Sequence, residues 1–500
     1  MESYWIEFLQ NRHWKQLEQN TNTEVTIIGG GITGLTCAYY LAKAGKKVIV
    51  LEKDLIMSHA SGNTTAKITS QHGLFYDYLL QSLGKDKAKQ YLDANQQAIN
   101  NIEKIVKQEK INCDFEKQSA YVFTKDIQEL EKIKKEVEVV KSLGLDCYFR
   151  EQISLPISIL GAIEFPDQAQ FNPAQYALGL YQAIEKYGGT IYEKTKVYDV
   201  KKAEDGYDIL TQDYHVKSKY VILACHYPII NAPGFYFMKM YQQTSYLIGA
   251  EVSQEVFQGM YINSEKPTIS YRTVPAKDKK LILVGGMDHK TGAKIDISNS
   301  YDFLEEQLKQ IYASAIVKYR WNTQDVITVD KIPYIGEFSH MTPNMYIATG
   351  YKKWGMTSSN VAANIITDRI LEKENKYQEV FKSTRFHPIK NHEEVENILK
   401  ETTHSLILNK FTIPNDTLEQ ISKDDGKIIE IEKQKVGVYK DKEGKIYMVK
   451  PVCSHLGCEL TFNSLDKTWD CPCHGSRFNY LGESIYDPSI KPLQKYHNED

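Results

Sequence analysis

The sequence lacks the features that would point to several simple function classes. Its net charge is only −3 and its pI is near 6.5, so we expect neither nucleic-acid binding nor attraction to anionic membranes. The opening residues, MESYWIEFLQNRHWKQ, have no apolar core and no cleavage-like site, which argues against a secretory signal. One uncharged stretch, 25–42, has the length of a membrane span. It contains Gly29, Gly30 and Gly31, which favour a buried strand and turn. We therefore expect a cytoplasmic protein without a membrane span.

Cysteine is also scarce for a chain of 500 residues, and its distribution is uneven. Of the eight cysteines, those at positions 37, 113, 147 and 225 show no spacing pattern, as is typical of a reducing compartment. The others gather with histidine near the C-terminus, in C-S-H-L-G-C (453–458) and C-P-C-H-G-S (471–476). The sequence thus predicts one localised Cys/His site rather than a disulfide framework.

This Cys/His pattern has the spacing of a Rieske [2Fe–2S] centre, in which one iron takes two thiolates and the other two imidazoles. Zinc is the alternative, because it binds the same residue types. Zinc sites usually pair Cys with Cys and His with His at short spacing, whereas here each loop supplies one Cys and one His. The pattern therefore favours the cluster.

The segment resembles Rieske domains of the cytochrome bc and chloroplast b/f type. The resemblance implies four metal ligands, which are Cys453, His455, Cys471 and His474. It also implies a disulfide between Cys458 and Cys473, and a hydrogen bond from the Ser476 hydroxyl to a bridging sulfide. Phe478 occupies a position where that subgroup often has a tyrosine. Because hydrogen bonds to sulfur tune such clusters, we expect a potential below that of those relatives.

A second motif lies between residues 24 and 54. Gly29, Gly31 and Gly34 form G-x-G-x-x-G directly after a β-branched run, and a helical segment ending near Gly45 follows. In this motif the first glycine permits a tight turn, the second admits a pyrophosphate, and the third allows close helix packing. Glu52 ends the next strand, where an acid can bind ribose hydroxyls. Strand, glycines, helix, strand and acid occur in the order that a dinucleotide-binding unit requires.

Residues 20–375 resemble the flavoprotein family of D-amino-acid oxidase, glycine oxidase and sarcosine oxidase, and the cofactor implied is noncovalent FAD. The resemblance rests on the glycine motif, H-A-S-G-N-T-T-A-K-I-T (59–69), a strand at 195–200, a returning strand at 220–224 and N-M-Y-I-A-T-G-Y-K-K-W-G-M-T (344–357). It implies these cofactor-binding residues: Gly29, Gly31, Gly34, Glu52, Lys53, Thr64, Thr65, Ala66, Val197, Gly350, Trp354, Gly355, Met356 and Thr357.

The expected fold is an α/β, Rossmann-like FAD-binding domain of the glycine-oxidase type with an α+β substrate domain, followed by a small all-β Rieske domain. The cofactor part is expected at about 20–75, 190–240 and 325–375, and the substrate part at about 76–190 and 240–320. A connector over 376–411, with a helix at 392–410, would lead to the Rieske domain at 412–500. The charged segments 100–110 and 126–143 predict solvated helices.

Catalytic residues are harder to predict. Glycine-oxidase-like members hold the substrate carboxylate with arginines, but this chain has Lys353 and Asp325 at those two positions. Arg272 is the best remaining carboxylate partner, with Tyr246 and Lys353 as further candidates, since a guanidinium suits bidentate binding. A structural ion pair is the alternative role for Arg272.

The two cofactor patterns together predict an FAD-dependent dehydrogenase that oxidises a small amine, amino acid or hydroxy acid. Electrons would pass one at a time through the cluster to a redox partner protein or another one-electron acceptor. No second G-x-G-x-x-G is present, so a separate NAD(P)H domain is not expected. The rival hypothesis is an electron-transfer or redox-sensing protein that receives electrons from a partner. A scaffold with inert cofactors is the least favoured alternative, because metal ligands are costly to keep unused.

Overall fold

A mostly parallel sheet begins with the strand that precedes the glycine motif. The computed structural model describes residues 3–10, 12–274, 280–385, 396, 400, 414 and 416–496. Along this first sheet the strands follow in the order Tyr334–Glu337, Met345–Thr349, His215–Leu223, Thr21–Ile28, Val48–Leu51 and Thr190–Tyr192. A hairpin of Asp199–Ala203 and Gly206–Leu210 extends it from His215–Leu223.

The centre of this sheet is the strand Thr21–Ile28, which pairs in parallel with His215–Leu223 on one side and Val48–Leu51 on the other. Its last four residues are buried, as a β-branched run flanked by two strands requires. The helix Ile32–Lys43 then begins beside Gly31, and the chain turns at Gly45 with a φ of 83°. The predicted strand–turn–helix–strand order is therefore confirmed.

One strand prediction was wrong. Residues 195–198 form a loop, and the strand begins only at Asp199. The backbone N–H of Thr195 donates to the Glu52 carbonyl (2.8 Å), so this segment is held against the end of the second strand. Val197 thereby stays beside the sheet edge where the predicted cofactor site lies.

A second, mixed sheet stands over the first. Its main path runs Ile316–Thr328, Met240–Val252, Lys280–Lys290, Ile269–Val274, Met260–Asn263, Glu116–Thr124, Gly161–Gln170 and Lys67–Ile68, and Tyr148–Arg150 pairs with Gly161–Gln170. The two long strands Met240–Val252 and Ile316–Thr328 pair antiparallel with each other. Residues of both strands line the predicted cofactor cavity on one face and contact the C-terminal Cys/His segment on the other.

Helices cover the outer faces of both sheets. They are Ile32–Lys43, Tyr76–Leu83, Lys85–Glu109, Ile127–Ser142, Pro173–Lys186, Ser300–Ile311, Gly355–Ile370 and Gln378–Phe381, with 3-10 turns at Tyr4–Leu9, Tyr236–Met238 and Leu418–Gln420. The solvated helices predicted at 100–110 and 126–143 lie within two of them. Most of the helix predicted at 392–410 falls outside the described residues; the two residues of it that are described, 396 and 400, are helical. No helix among the described residues combines the length and apolar character needed to cross a bilayer.

The C-terminal segment contains only strands and one 3-10 turn among its described residues. Its two sheets are Asp425–Ile431, Gln434–Lys440 and Ile446–Val449, followed by Thr461–Asn463, Thr468–Asp470, Arg477–Asn479 and Ser484–Tyr486. Trp469 and Phe478 pair across the four-stranded sheet of this segment, and both are fully buried. This all-β segment and the two larger sheets match the expected fold class.

Candidate functional site

The glycines of the first motif form a cradle that side chains would block. A Cβ atom on Gly29 would lie 2.6 Å from the Ala224 carbonyl oxygen, and one on Gly31 would lie 2.9 Å from Ser61 Oγ. A Cβ on Gly34 would meet the Gly29 oxygen at 1.9 Å, so this glycine permits close packing of helix on strand. The backbone at the start of the helix thereby stays open to a pyrophosphate.

Glu52 completes the cradle at the end of the second strand. Its carboxylate accepts hydrogen bonds from the backbone N–H groups of Gly30 (2.6 Å) and Asp54 (2.9 Å). Burial raises the pKa of Glu52, although these N–H groups and His59 oppose the shift. The acid is therefore held in one orientation at the position where a ribose would bind.

A large cavity extends from this cradle to the second sheet. The predicted cofactor residues that line it are Gly29, Gly31, Glu52, Lys53, Thr64, Thr65, Val197, Gly350, Trp354, Gly355 and Met356. Three others lie behind the wall: Gly34 packs under the turn, the Ala66 N–H donates to Thr64 Oγ1 (2.9 Å), and the Thr357 hydroxyl donates to the Thr69 carbonyl (3.1 Å). The cavity thus unites predicted cofactor residues that are far apart in sequence.

Arg272 was predicted to bind the substrate carboxylate, but it does not reach the cavity. It is fully buried, and its Nη1 donates to the carbonyls of Thr65 and Ala66, while its Nη2 donates to the Phe171 carbonyl (2.8 Å). The guanidinium therefore connects the segment 59–69, which contains Thr65 and Ala66, to the second sheet. No carboxylate forms an ion pair with it among the described residues, so the structural ion pair weighed as an alternative is also absent.

Tyr246 and Lys353 have different positions relative to the cavity. Ser245 and Leu247 line it, so Tyr246 between them points to the opposite face of the strand. Its hydroxyl lies 3.2 Å from His289 Nε2. Lys353 does line the cavity, and its Nζ is paired with Asp288 Oδ1 at 3.1 Å.

Asp325 also lines the cavity. In the sequence it was noted only because it stands where glycine-oxidase-like members have an arginine. No hydrogen bond or ion pair within 4.0 Å engages its carboxylate among the described residues. Burial raises its pKa to about 7; Lys353 opposes the shift and Asp288 adds to it. The pleat of the strand explains this position, because Thr323 and Asp325 are two residues apart and both line the cavity.

Lys67 is a second titratable group in the cavity that the prediction omitted. Its Nζ donates to the Tyr261 carbonyl (2.7 Å). Burial, together with the charge of Arg272, lowers its pKa to about 7. The cavity therefore contains an acid and an amine that both titrate near neutrality, as is common in active sites.

The predicted metal ligands converge in the C-terminal segment. Cys453, Cys471 and His474 are almost fully buried, and the rings of His455 and His474 are 5.1 Å apart. The Nδ1 atoms of both histidines are buried without a hydrogen-bond partner among the described residues. A hydrogen bond from the Cys471 thiol lowers the pKa of Cys453. Two adjacent sulfurs and two free imidazole nitrogens form a donor set that fits a Rieske cluster.

The neighbours of these ligands also follow the expected pattern. Cys458 and Cys473 form a disulfide, as the resemblance implied. The Ser476 oxygen accepts from the Ser489 N–H (3.0 Å), which leaves its own proton for a sulfur acceptor. Phe478 is fully buried and brings no hydroxyl to the site. The lowered potential expected from it stays a prediction.

We expect the disulfide to contribute to the stability of the C-terminal segment. Replacing Cys458 and Cys473 together with alanine should lower the free energy of unfolding by about 3 kcal/mol, because the crosslink closes a loop of roughly 15 residues in the unfolded chain. Chemical denaturation followed by visible circular dichroism of the cluster measures this change. An unchanged denaturation midpoint would contradict it.

The cluster-ligand loop is docked on the two long strands of the second sheet. Gln242 Nε2 donates to the His474 carbonyl (2.8 Å), and Gln324 Nε2 donates to the Gly475 carbonyl (2.9 Å). Gln324 lies between Thr323 and Asp325, which line the cavity on the other face of the same strand. A single layer of sheet therefore separates the cavity from the metal site.

His455 is engaged by a second contact from the N-terminal part of the chain. Its Nε2 lies 2.9 Å from Asn231 Oδ1, within hydrogen-bond distance. The ring of Phe237 stands edge-on to His474, with centroids 5.7 Å apart. The outer nitrogen of a metal-ligating imidazole usually donates to a partner that fixes the ring orientation, and Asn231 supplies one here.

Comparisons with known proteins agree with this arrangement. The family described as FAD dependent oxidoreductase matches residues 24–369, and the Rieske [2Fe-2S] domain matches residues 413–497. The putative Rieske 2Fe-2S iron-sulfur protein YhfW of Bacillus subtilis (strain 168) is 37% identical over 495 residues, which cover 99% of this chain and 97% of that protein. Gamma-glutamylputrescine oxidoreductase of Escherichia coli (strain K12) is 24% identical over 366 residues, covering 70% of this chain and 84% of that protein.

Solved structures show the same fold for the N-terminal part. Glycine oxidase from Geobacillus kaustophilus superposes with a TM-score of 0.63 at 18% identity, and the match covers 73% of this chain and 99% of that one. Fold and site together define a flavoprotein that carries its own iron–sulfur centre. The chain belongs to the FAD-dependent oxidoreductase family and bears a C-terminal Rieske domain, so its cofactors are FAD and a [2Fe–2S] cluster.

Proposed function

We propose that the protein is an FAD-dependent dehydrogenase that oxidises a small amine and passes the electrons through its Rieske cluster to a one-electron acceptor. FAD accepts two electrons as a hydride, whereas the cluster carries one electron at a time. The observation that supports this relay is the docking of the cluster loop on the back of the cavity wall, through Gln242 and Gln324. If the two cofactors worked independently of each other, the cluster loop would not need to dock on the wall of the FAD cavity.

The carboxylate of Asp325, unpaired among the described residues, favours an amine as the group that is oxidised. Of the two cations predicted to hold a substrate carboxylate, Arg272 is occupied by backbone carbonyls and Lys353 by Asp288. The carboxylate of an amino acid or a hydroxy acid would therefore have to use Lys67 or Lys352, which also line the cavity. Asp325 instead offers a carboxylate with no partner among the described residues. The E. coli relative is named for gamma-glutamylputrescine, whose putrescine part carries an amine, and this supports an amine as the group that is oxidised.

Oxidation of an ammonium substrate to an iminium ion releases two electrons and two protons. One proton leaves the nitrogen, and the other leaves the carbon with both electrons as a hydride. Asp325 is placed to bind the ammonium group and to accept the nitrogen proton, because its pKa of about 7 suits a base at neutral pH.

The cellular setting is part of the proposal. Cys37, Cys113, Cys147 and Cys225 are all free thiols in the structure. Free cysteines of this kind are typical of proteins in a reducing compartment, so we place the enzyme in the cytoplasm. Its acceptor would then be a cytoplasmic redox protein or another soluble one-electron carrier.

An anaerobic screen tests the proposal. Small primary and secondary amines, amino acids and hydroxy acids are added to the holoprotein, and flavin bleaching is followed by absorbance. The reduced cluster is then recorded by EPR. We expect bleaching by amines alone, with a cluster signal in the same sample. If no metabolite bleaches the flavin but a reductase protein reduces the cluster first, the rival electron-transfer function holds.

A further inference from the structure

The Rieske domain supplies part of the wall of the FAD cavity. Tyr486, Asp487 and Ile490 line the cavity beside Glu52 and Val197. That end of the cavity lies at the tip of the second strand, where the ribose of a dinucleotide binds in this fold. The wall that closes the adenosine end therefore comes from a different domain than the glycine cradle.

Lys53 joins the two domains at this wall. Its Nζ lies 3.2 Å from Asp487 Oδ1 and donates to the Ile485 carbonyl at 3.2 Å. The side chains of Lys53 and Asp487 are only 18% and 11% exposed. Burial alone would lower the pKa of Lys53, but the carboxylates of Asp487 and Glu52 outweigh it and raise the pKa. The lysine therefore remains charged, and separating the domains without rehydrating the pair would leave a buried charge uncompensated.

Three further contacts between the domains lie near this pair. Lys196 Nζ donates to the Ile490 carbonyl (2.7 Å), and Asn63 Nδ2 donates to the Tyr486 hydroxyl (3.3 Å). The ring of His59 packs edge-on against Tyr486, with centroids 4.9 Å apart. Lys53, His59 and Lys196 all line the cavity themselves. Three of the residues that contact the Rieske domain thus also face the cofactor.

We propose that Tyr486, Asp487 and Ile490 are FAD-binding residues, and that FAD binding and docking of the Rieske domain stabilise each other. A ligand that contacts both domains binds the docked arrangement better than the undocked one. By linkage, FAD then favours docking as much as docking favours FAD. The Rieske domain consequently acts as a cofactor-retaining element as well as an electron carrier.

The first test changes the wall and measures retention of FAD. Tyr486→Ala in the full chain should speed FAD release from the holoprotein at least tenfold, followed as the rise of free flavin fluorescence after dilution. Tyr480→Ala is the matched control, because Tyr480 lies in the same domain but packs on Tyr439 and Tyr447 instead of the cavity. Visible circular dichroism of the cluster verifies that both variants keep a folded Rieske domain.

The second test loosens the docking without touching the cavity. Gly292 has a φ of 74°, and a Cβ there would lie 2.6 Å from the Pro472 nitrogen in the cluster loop. Gly188 has a φ of 84° with nothing within 4 Å, so Gly188→Ala reproduces the backbone strain without the clash. We expect Gly292→Ala to speed FAD release at least threefold over Gly188→Ala.

Hydrogen exchange of the unaltered protein gives an independent reading. Peptides over 484–491 should exchange more slowly with FAD bound than in the FAD-depleted chain. Unchanged FAD release in both Tyr486→Ala and Gly292→Ala, together with unchanged exchange over 484–491, would overturn the inference. These measurements use no substrate, so their failure leaves the proposed dehydrogenase function standing, and failure of the amine screen leaves this coupling standing.

Discussion

Replacing Cys453 with serine should leave flavin reduction by an amine intact and lower electron delivery to an acceptor protein at least 100-fold. Thiolates are the ligands of one cluster iron, and a serine hydroxyl does not replace a thiolate in this role. Cys453 is almost fully buried beside Cys471, so no outside group can substitute for it. The flavin would be bleached by substrate and would remain reduced.

The measurement compares two rates in one preparation. Anaerobic flavin bleaching gives the substrate half of the reaction, and reduction of a one-electron acceptor protein too large to enter the cavity gives the other half. Cys147→Ser is the matched control, because Cys147 is a buried free thiol in the N-terminal part and donates only to the Val137 carbonyl (3.5 Å). Full acceptor reduction by the Cys453→Ser variant would show that electrons leave the flavin directly.

Asp325→Asn should lower kcat/KM for an amine by roughly 100- to 10,000-fold, the usual contribution of a positioned general base. The amide keeps the size of the side chain but neither attracts an ammonium group nor accepts its proton. Because burial raises the pKa of Asp325 to about 7, the unaltered enzyme should lose activity as the pH falls below 7. The Asp325→Asn variant should lack this decline.

The pH profile separates a role in the reaction from a structural role. A variant that is merely misfolded loses activity at every pH, whereas loss of the base removes the decline below pH 7 as well as the rate. Asp205→Asn, at an exposed turn between two strands, is the matched control and should behave as the unaltered enzyme. Retention of both the rate and the pH dependence by Asp325→Asn would exclude this residue as the base.

Local motifs explain why much of both cofactor sites was predictable. Cys453 and His455 lie close together in one short loop, and Cys471 and His474 in another, so the spacing carries the ligand geometry. The glycine cradle and Glu52 are likewise set by one strand–helix–strand unit. Chemistry that is confined to one short segment leaves its pattern in the sequence.

The catalytic residues were not predictable in the same way. Ser270 and Arg272 share one face of their strand, yet Ser270 lines the cavity and Arg272 lies beyond its edge. There the Arg272 guanidinium donates to the Thr65 and Phe171 carbonyls, which come from distant parts of the chain. Tyr246 lies on the face of its strand that points away from the cavity. The sequence did not specify which residues of this strand would face the cavity.

The contacts between the domains were not predicted. No prediction was made from the sequence for Tyr486 or Asp487, and Lys53 was predicted only as a cofactor-binding residue. Only the docked arrangement brings Lys53 to Asp487 and turns Tyr486 toward the cavity. The proposed domain boundaries, including the connector at 376–411, stay predictions.

The most direct test of the account is the rate at which the cluster is reduced after substrate has reduced the flavin. Holoprotein and an amine that bleaches it are mixed anaerobically, and the cluster is followed by rapid-freeze EPR at several protein concentrations. The account predicts a first-order rate that does not change with protein concentration, because the two cofactors lie on opposite sides of one sheet in the same chain. A cluster that stays oxidised, or one whose reduction rate rises in proportion to protein concentration, would contradict it.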